Sequence, residues 1–428
     1  MSSCYDLVII GGGIAGLYTG IEVLKKYNVS CCILEKYNYI GGRVVTFHTD
    51  VKGVGPLQWE GGAGRIATSH HLVRSLLKRY QLSFIPISSH SQWVDQDLSI
   101  ENPFSKEASV YLDPLCSLSS EILRSHTLAE LLEQIHGKER AASFYHKFPY
   151  HAEIHTLRAD LALHSFRSEM GSRQAFGVCG EGLSALIDAM VQEYTSLGGL
   201  IVKGVTVEEM NYSSATNQWN ITTKEACSKK PRFFQSSVCV SAVHQEGLKE
   251  IKGLRFPFLR HLRMAPLLRI YAVFPTTKQG ESWFSSLSKT VTPGPIRYII
   301  PIQPKKGVVM ISYTDGEDTR YWGSRSPHEL KTILMREIRT MFPQMEIPDP
   351  FFVKTHLWKN GCTYWLPGNY DPESISRMSL HPMKNRPLFM CNESFAIKQA
   401  WIESSLVQSR RMMSLPAFQE CLSACVRK

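Results

Sequence analysis

Near the N-terminus the apolar residues switch from one period to another. Leu7, Val8, Ile9 and Ile10 form an unbroken run of strand formers, as expected of a strand covered on both faces. Leu17, Ile21 and Leu24 then recur at helical spacing, and residues 31–34 (Cys-Cys-Ile-Leu) repeat the short apolar run. Strand, helix, strand is therefore predicted over the first thirty-five residues. Further on, Leu72, Val73, Leu76, Leu77 and Tyr80 predict a helix, 82–87 a strand, and 122–135 a helix within a polar, histidine-bearing region. The stretch from Phe176 to Gly182 is expected to open a helix whose apolar face runs from Leu183 to Leu197 and stops at Gly198-Gly199. Strands are predicted at 200–202, 205–210, 219–222, 237–240, 267–274, 296–300, 308–312, 351–358 and 388–391. Ser326, Pro327 and Glu329 supply an N-cap, a first-turn proline and a capping-box acid for a helix through Met341, and a last helix is expected near Ala400.

The first strand runs directly into Gly11-Gly12-Gly13-Ile14-Ala15-Gly16. Gly11 permits a tight turn, Gly13 lets the backbone approach a pyrophosphate, and Gly16 lets the helix pack on the strand. The helix start offers unbonded N–H groups to the phosphates. Glu35 ends the second strand about twenty residues on, where a carboxylate accepts hydrogen bonds from a ribose. Strand, glycines, helix and acid together predict a dinucleotide site.

Composition narrows the field. A chain of 428 residues, 43% apolar, exceeds one ordinary core and suggests two or three domains. Its apolar runs fall short of a membrane span, and the N-terminus lacks a signal-peptide layout. Eleven cysteines without CxxC pairs or zinc spacing point to reduced thiols, so a cytoplasmic location is expected and no metal site is. The net charge of +10 is spread along the chain and forms no basic block, which argues against nucleic-acid partners.

Gly41-Gly42-Arg43-Val44, just after Glu35, resembles the FAD-binding signature of the flavin amine oxidase superfamily, in which the arginine meets the pyrophosphate. Other segments resemble the family in the same order. They are the glycine-rich helix start at 180–183, Val205 where a valine closes over the adenine, and Ser241-Ala242-Val243 on the strand returning to the flavin domain. Near the end come Asn392-Glu393-Ser394, and Gln399-Ala400-Trp401-Ile402-Glu403, whose backbone N–H would approach the flavin O2. The resemblance implies FAD held by Gly11, Gly13, Gly16, Glu35, Gly42, Arg43, Gly62, Ala63, Val205, Glu393 and Ile402. Within the family, Gly62-Ala63-Gly64-Arg65 is similar to the segment by which L-amino-acid oxidases bind a substrate carboxylate, and a guanidinium fork suits that anion. An arginine paired with a structural acid or with FAD is the alternative. Cys362, in Asn360-Gly361-Cys362-Thr363-Tyr364, resembles the segment through which monoamine oxidases attach their flavin covalently.

The resemblance has departures. Arg269 stands where the family usually places a lysine near flavin N5, and it keeps the charge but effectively never loses its proton. Asn392 replaces a glycine. The aromatic walls must come from Trp358, Tyr364, Trp365 and Trp401.

The expected fold is α/β and α+β: a discontinuous Rossmann-like FAD domain (1–100, 176–205 and 386–428), a helical subdomain (101–175) and a mixed-sheet substrate domain (206–385). The expected function is FAD-dependent oxidation of an amine or L-amino acid, with Arg65, Tyr364, Trp365 and Trp401 binding substrate, Arg269 and Trp401 beside the reacting atoms, and O2 as acceptor. A flavin-dependent desaturase or porphyrinogen-oxidase-like enzyme is one alternative, and a catalytically weakened FAD-binding protein is another.

Overall fold

The computed structural model describes residues 3–88, 90–94, 109–170, 175–228 and 230–426, with the backbone alone for 168–170. The N-terminal strand, Ser3–Ile10, is parallel to Cys31–Leu34 on one side and to Pro231–Ser241 on the other. Its apolar run is explained by two covered faces. Leu7 and Ile9 pack with the helices Ile14–Lys26, Leu183–Ser196 and Ile402–Met413, while Val8 and Ile10 face a second cluster that includes Trp219, Phe234 and residues of the 109–170 helices. Among the described residues this sheet has seven strands. Leu200–Val202 extends it beyond Cys31–Leu34, Leu388–Met390 joins Pro231–Ser241 in parallel, and the antiparallel strands Gln218–Glu225 and Val205–Ser213 complete the other flank.

The expected boundary at 206 therefore falls inside this first sheet, because residues 205–241 hydrogen-bond into it. Five of the six strands of the second sheet come from Leu262 onward. It orders Phe352–Trp365, Leu262–Val273, Val308–Asp315, Tyr298–Gln303, Lys289–Val291 and Ser91–Trp93, so a strand from the expected first FAD segment belongs to the second sheet. Six helical stretches occupy 113–170. Of the expected helical subdomain, 101–108 and 171–174 lie outside the described residues.

Several local expectations change. The helix foreseen at 122–135 is two, Ser120–Ser125 and Leu128–His136, because Thr127 leaves helical geometry to cap the second with a capping box on Glu130. Phe176–Cys179 is a strand, pairing with Phe84–Ile87 and Ile66–Ala67, and the helix begins only at Leu183. The 351–358 strand continues to Trp365 through a register shift opposite Pro266. Proline donates no ladder hydrogen bond, and Gly361 lies so near Leu267 that a Cβ there would come within 2.6 Å of the Leu267 Cβ. The capping box on Ser326 and Glu329 stands as read.

Three distant segments meet at Glu393, which is 3% exposed. Its Oε2 accepts from Arg43 Nη2 at 2.7 Å, and its Oε1 accepts from the N–H groups of Thr363 and Ala400, both at 3.1 Å. Arg43 also donates to Gly361 O at 2.6 Å. Removing one partner of a buried pair costs more than the pair itself contributes, because the other charge is stranded. Glu393→Ala is expected to lose about 3 kcal/mol of stability, while Glu393→Gln, which keeps an acceptor for both N–H groups, loses less. Thermal midpoints of the two variants against wild type check this ordering.

Candidate functional site

The glycine turn has the layout of a phosphate cradle. Gly11 has φ +103 and lies against the Ala242 backbone, and a Cβ on Gly16 would collide with Gly11 O, so the helix start is drawn onto the strand. Gly13 differs: a Cβ there would meet nothing nearer than Gly41 O at 4.0 Å, so the space before the turn is open. Gly42, with φ +61, lies beside Gly13 across that space. No side chain caps the helix Ile14–Lys26 and no acid occupies its first turn, so its positive end faces the groove.

Glu35 is 6% exposed. Its Oε2 accepts from Gly12 N at 2.7 Å and its Oε1 from Tyr37 N at 2.8 Å, an anchoring that leaves lone pairs for ribose hydroxyls. Burial raises its pKa despite these bonds. Val205 donates its N–H to Glu35 O at 2.9 Å and so lies beside the acid. Gly62 and Ala63 are pinned to the arginine loop, with Ala63 N donating to Arg43 O at 2.9 Å and no room for a Cβ on Gly62. Uncapped N–H groups, an open cradle and an anchored acid fit a dinucleotide, whose pyrophosphate Gly13 and Gly42 would hold. Arg43 and Glu393 hold each other at the edge of this region, so Glu393 organises the loops around a cofactor through protein contacts.

A cavity of about 400 Å³ adjoins this region. It is lined by Ala63, Arg65, Arg269, Cys362, Tyr364, Trp401 and Ile402 among the sequence-derived candidates. Trp365 is absent from the wall. Side chains alternate along a strand, so Cys362 and Tyr364 face the cavity while Thr363 and Trp365 face the other way. Trp365 is fully buried and donates its indole N–H to Ala396 O at 3.0 Å. Trp358 likewise donates to Gly61 O at 2.6 Å, supporting the glycine loop.

The Arg65 guanidinium stacks over the rings of Phe176, at 5.1 Å, and Trp401, at 5.9 Å. Trp401 also meets His70 edge to face. Arg269 donates to Glu60 O at 3.0 Å and lies over the Tyr313 ring at 5.1 Å. Its Nε is buried and makes no hydrogen bond within the described residues. Glu60 itself accepts from Leu183 N at 2.8 Å, and burial pushes its carboxyl up to about 7. Trp401 precedes the helix Ile402–Met413, which has no side-chain cap. Glu403 is committed elsewhere: its carboxylate accepts from Leu72 N and Val73 N and so caps the helix His71–Arg79.

Asn392 and Ala400 differ in backbone conformation. Asn392 sits in extended backbone, φ −173, so no glycine is needed; its side chain donates to Val243 O and accepts from Ser394 N. Ala400 has φ +66, where a Cβ is strained.

Sequence reasoning missed Glu60, Glu153, Asp315, Tyr313 and His164 as site residues. The histidine-bearing region was visible, but nothing in its spacing indicates that one cavity gathers Glu153 and His164 with Tyr313 and Asp315. All eleven cysteines are free thiols. Among the described residues no helix is long and apolar enough to cross a membrane, and no group of His, Cys, Asp or Glu is arranged to hold a metal ion.

A model of the family described as flavin-containing amine oxidoreductase matches residues 14–396. A putrescine oxidase mutant from a structure-based redesign of cofactor binding aligns at TM-score 0.73 and 14% identity, over 99% of this chain and 100% of that one. Cyclohexylamine oxidase from Brevibacterium oxydans IH-35A aligns at TM-score 0.71 and 16% identity, over 99% of each chain. At these identities the structural likeness shows a shared fold. Comparison with curated protein sequences gives no match.

Two outcomes follow from this geometry. Gly13→Val, at φ −73 with open space before it, is expected to fold normally and purify without flavin, whereas Gly16→Val is expected to lower the thermal midpoint because its side chain meets backbone; absorbance near 450 nm and melting curves separate them. Burial and the nearby Glu393 charge raise the Cys362 thiol, disfavouring the thiolate that a covalent flavin bond requires. Acid precipitation of the yellow protein is therefore expected to release all flavin into the supernatant, and colour retained in the pellet would show a bond.

Proposed function

The chain belongs to the flavin-containing amine oxidoreductase family, and from that premise we propose that it oxidises an L-amino acid at the carbon bearing nitrogen, with O2 as the final acceptor. It is an FAD-dependent oxidoreductase of amine-oxidase type acting on a small-molecule amine. The observation that carries the finer reading is Arg65, a guanidinium on the cavity wall beside the stacked rings of Phe176 and Trp401, whose planar fork of N–H donors suits a carboxylate.

Bound FAD supplies the two-electron chemistry, accepting a hydride equivalent from the substrate carbon and passing electrons to O2 to give hydrogen peroxide. The protein's part is binding, orientation and electrostatics. Arg65 fixes the carboxylate, while Trp401 and Tyr364 form walls that restrict how the rest of the substrate lies. Arg269 holds a permanent positive charge at the cavity and cannot act as a base, so its role is electrostatic. With FAD bound, the uncapped start of Ile402–Met413 would supply partial positive charge that favours the reduced, negatively charged cofactor. The imine product hydrolyses to a carbonyl compound and ammonia.

A desaturase or porphyrinogen-oxidase-like activity would need a broad apolar pocket, and a wall bearing Arg65, Arg269, Glu153 and Asp315 disfavours it. Anaerobic mixing of the yellow protein with amino acids is expected to bleach the flavin. Arg65→Ala is expected to raise KM for amino acids by at least tenfold and to leave KM for amines lacking a carboxylate within about twofold. Equal losses on both would assign Arg65 a structural role, and a protein bleached by no amine or amino acid would refute the proposed reaction.

A further inference from the structure

Among the described residues, five strands of the first sheet run parallel side by side, and such a sheet binds its ligand outside the carboxyl ends of its strands. Four of those ends already have a part in the site. Leu200–Val202 leads to Val205, Cys31–Leu34 to Glu35, Ser3–Ile10 to the glycine turn, and Leu388–Met390 to Asn392 and Glu393. The fifth, Pro231–Ser241, leads to His244. The path between is fixed against its neighbours: Ala242 N donates to Ile10 O at 2.8 Å, and Val243 O accepts from the Asn392 side chain. His244 is half-buried, and its Nδ1 accepts from Gly247 N at 3.1 Å. With that nitrogen committed as an acceptor, the neutral ring carries its proton on Nε2, which makes no hydrogen bond among the described residues.

We propose that His244 is a further cofactor-holding residue, its imidazole Nε2–H donating to the pyrophosphate of bound FAD. The inference needs only bound FAD and is independent of which amine is oxidised. Burial, then the Arg43 charge, lowers the ring to about 4, so it is neutral at pH 7 and is a donor at Nε2 alone. The other charges acting on it belong to Glu393, Glu246 and Lys36. Glu246 lies on the short helix Gln245–Lys249 that follows the ring; Lys36 and Arg43 come from the loop after Cys31–Leu34, and Glu393 from the end of Leu388–Met390. The imidazole therefore sits among the strand ends, near the arginine of the loop that faces Gly13. Glu393 offsets Arg43, and a neutral N–H adds a directed bond to a phosphate oxygen without a further charge to balance. The donor is the side chain and not the helix start, because that helix is one turn long and its Gly247 N–H is taken by His244 itself.

The test uses flavin-loaded enzyme and reads binding, not turnover. His244→Asn keeps an acceptor for Gly247 N and removes the Nε2 donor, whereas His244→Gln places an amide N–H near the Nε2 position and gives up the cap. Diluting the yellow protein and following the fluorescence of released flavin gives Kd for FAD. It is expected to rise about tenfold in His244→Asn, the scale of one lost hydrogen bond to a charged group, and to stay within about threefold of wild type in His244→Gln. A second arm locates the contact along the cofactor with ADP, which carries the diphosphate without the ribityl chain or the ring. At a fixed excess of FAD, the ADP concentration that displaces half of the flavin is expected to stay within about threefold in His244→Asn, because both ligands lose the same bond. Wild-type FAD affinity in His244→Asn, or an equal loss in His244→Gln, would overturn the contact and leave His244 as a helix cap. A tenfold fall in the displacing ADP concentration would move the contact to the ribityl or ring end and overturn the assignment to the pyrophosphate.

Discussion

One buried carboxylate ties together parts of the chain that are far apart in sequence. Glu393 binds the arginine of the N-terminal loop, the backbone of the second sheet at Thr363 and the backbone before the C-terminal helix at Ala400. Each contact alone is an ordinary hydrogen bond or ion pair. Together they fix the two sheets and the final helix start relative to one another, with the cradle and the cavity on either side. An enclosed charge is tolerated because every bond to it comes from a donor that the fold holds rigidly. Arg43 is bound to Glu393 and Gly361 O within the protein, so the loop that would face a pyrophosphate is shaped before any cofactor arrives.

Much of the first sheet was legible because its signals are local. An unbroken apolar run, a glycine turn and a terminal acid can be read within a few residues, and they mark a strand covered on both faces together with the turn into the following helix. Legibility ended where pairing is long-range. Nothing between 205 and 241 states that its antiparallel strands join the parallel sheet, since alternation looks alike in either domain. Ser91–Trp93 is a three-residue strand whose sheet membership comes from its partner Lys289–Val291, so no local reading could place it.

The site shows the same division. Residues belonging to a contiguous motif, such as Gly11 to Gly16 or Gly41 to Arg43, lie where their spacing implies. Trp365 was misplaced by one strand position, which turns a side chain from the cavity to the core. Its neighbour Tyr364 takes the wall. Pro266, opposite the register shift, helps explain why that strand could not be read as a single regular element: the pairing slips between Ala265–Cys362 and Leu267–Trp358, and Gly361 O within the slip accepts from Arg43.

Asn392 and Ala400 hold a side chain in two different backbone conformations. At Asn392 the backbone is extended, so the side chain costs no conformational strain and supplies a local cap, accepting from Ser394 N. Ala400 instead occupies the left-handed region, at an expense of roughly 1–2 kcal/mol for an L-residue. What holds it there is the same carboxylate, because Ala400 N donates to Glu393 Oε1. The strained residue precedes Trp401, whose ring stacks with Phe176 and meets His70, so the strain lies in the turn that presents the aromatic wall and the uncapped helix start. Relaxing that turn would move Trp401 and with it one of the two rings beside Arg65. The Glu393 contact thus reaches the cavity through backbone geometry, without Glu393 being on its wall.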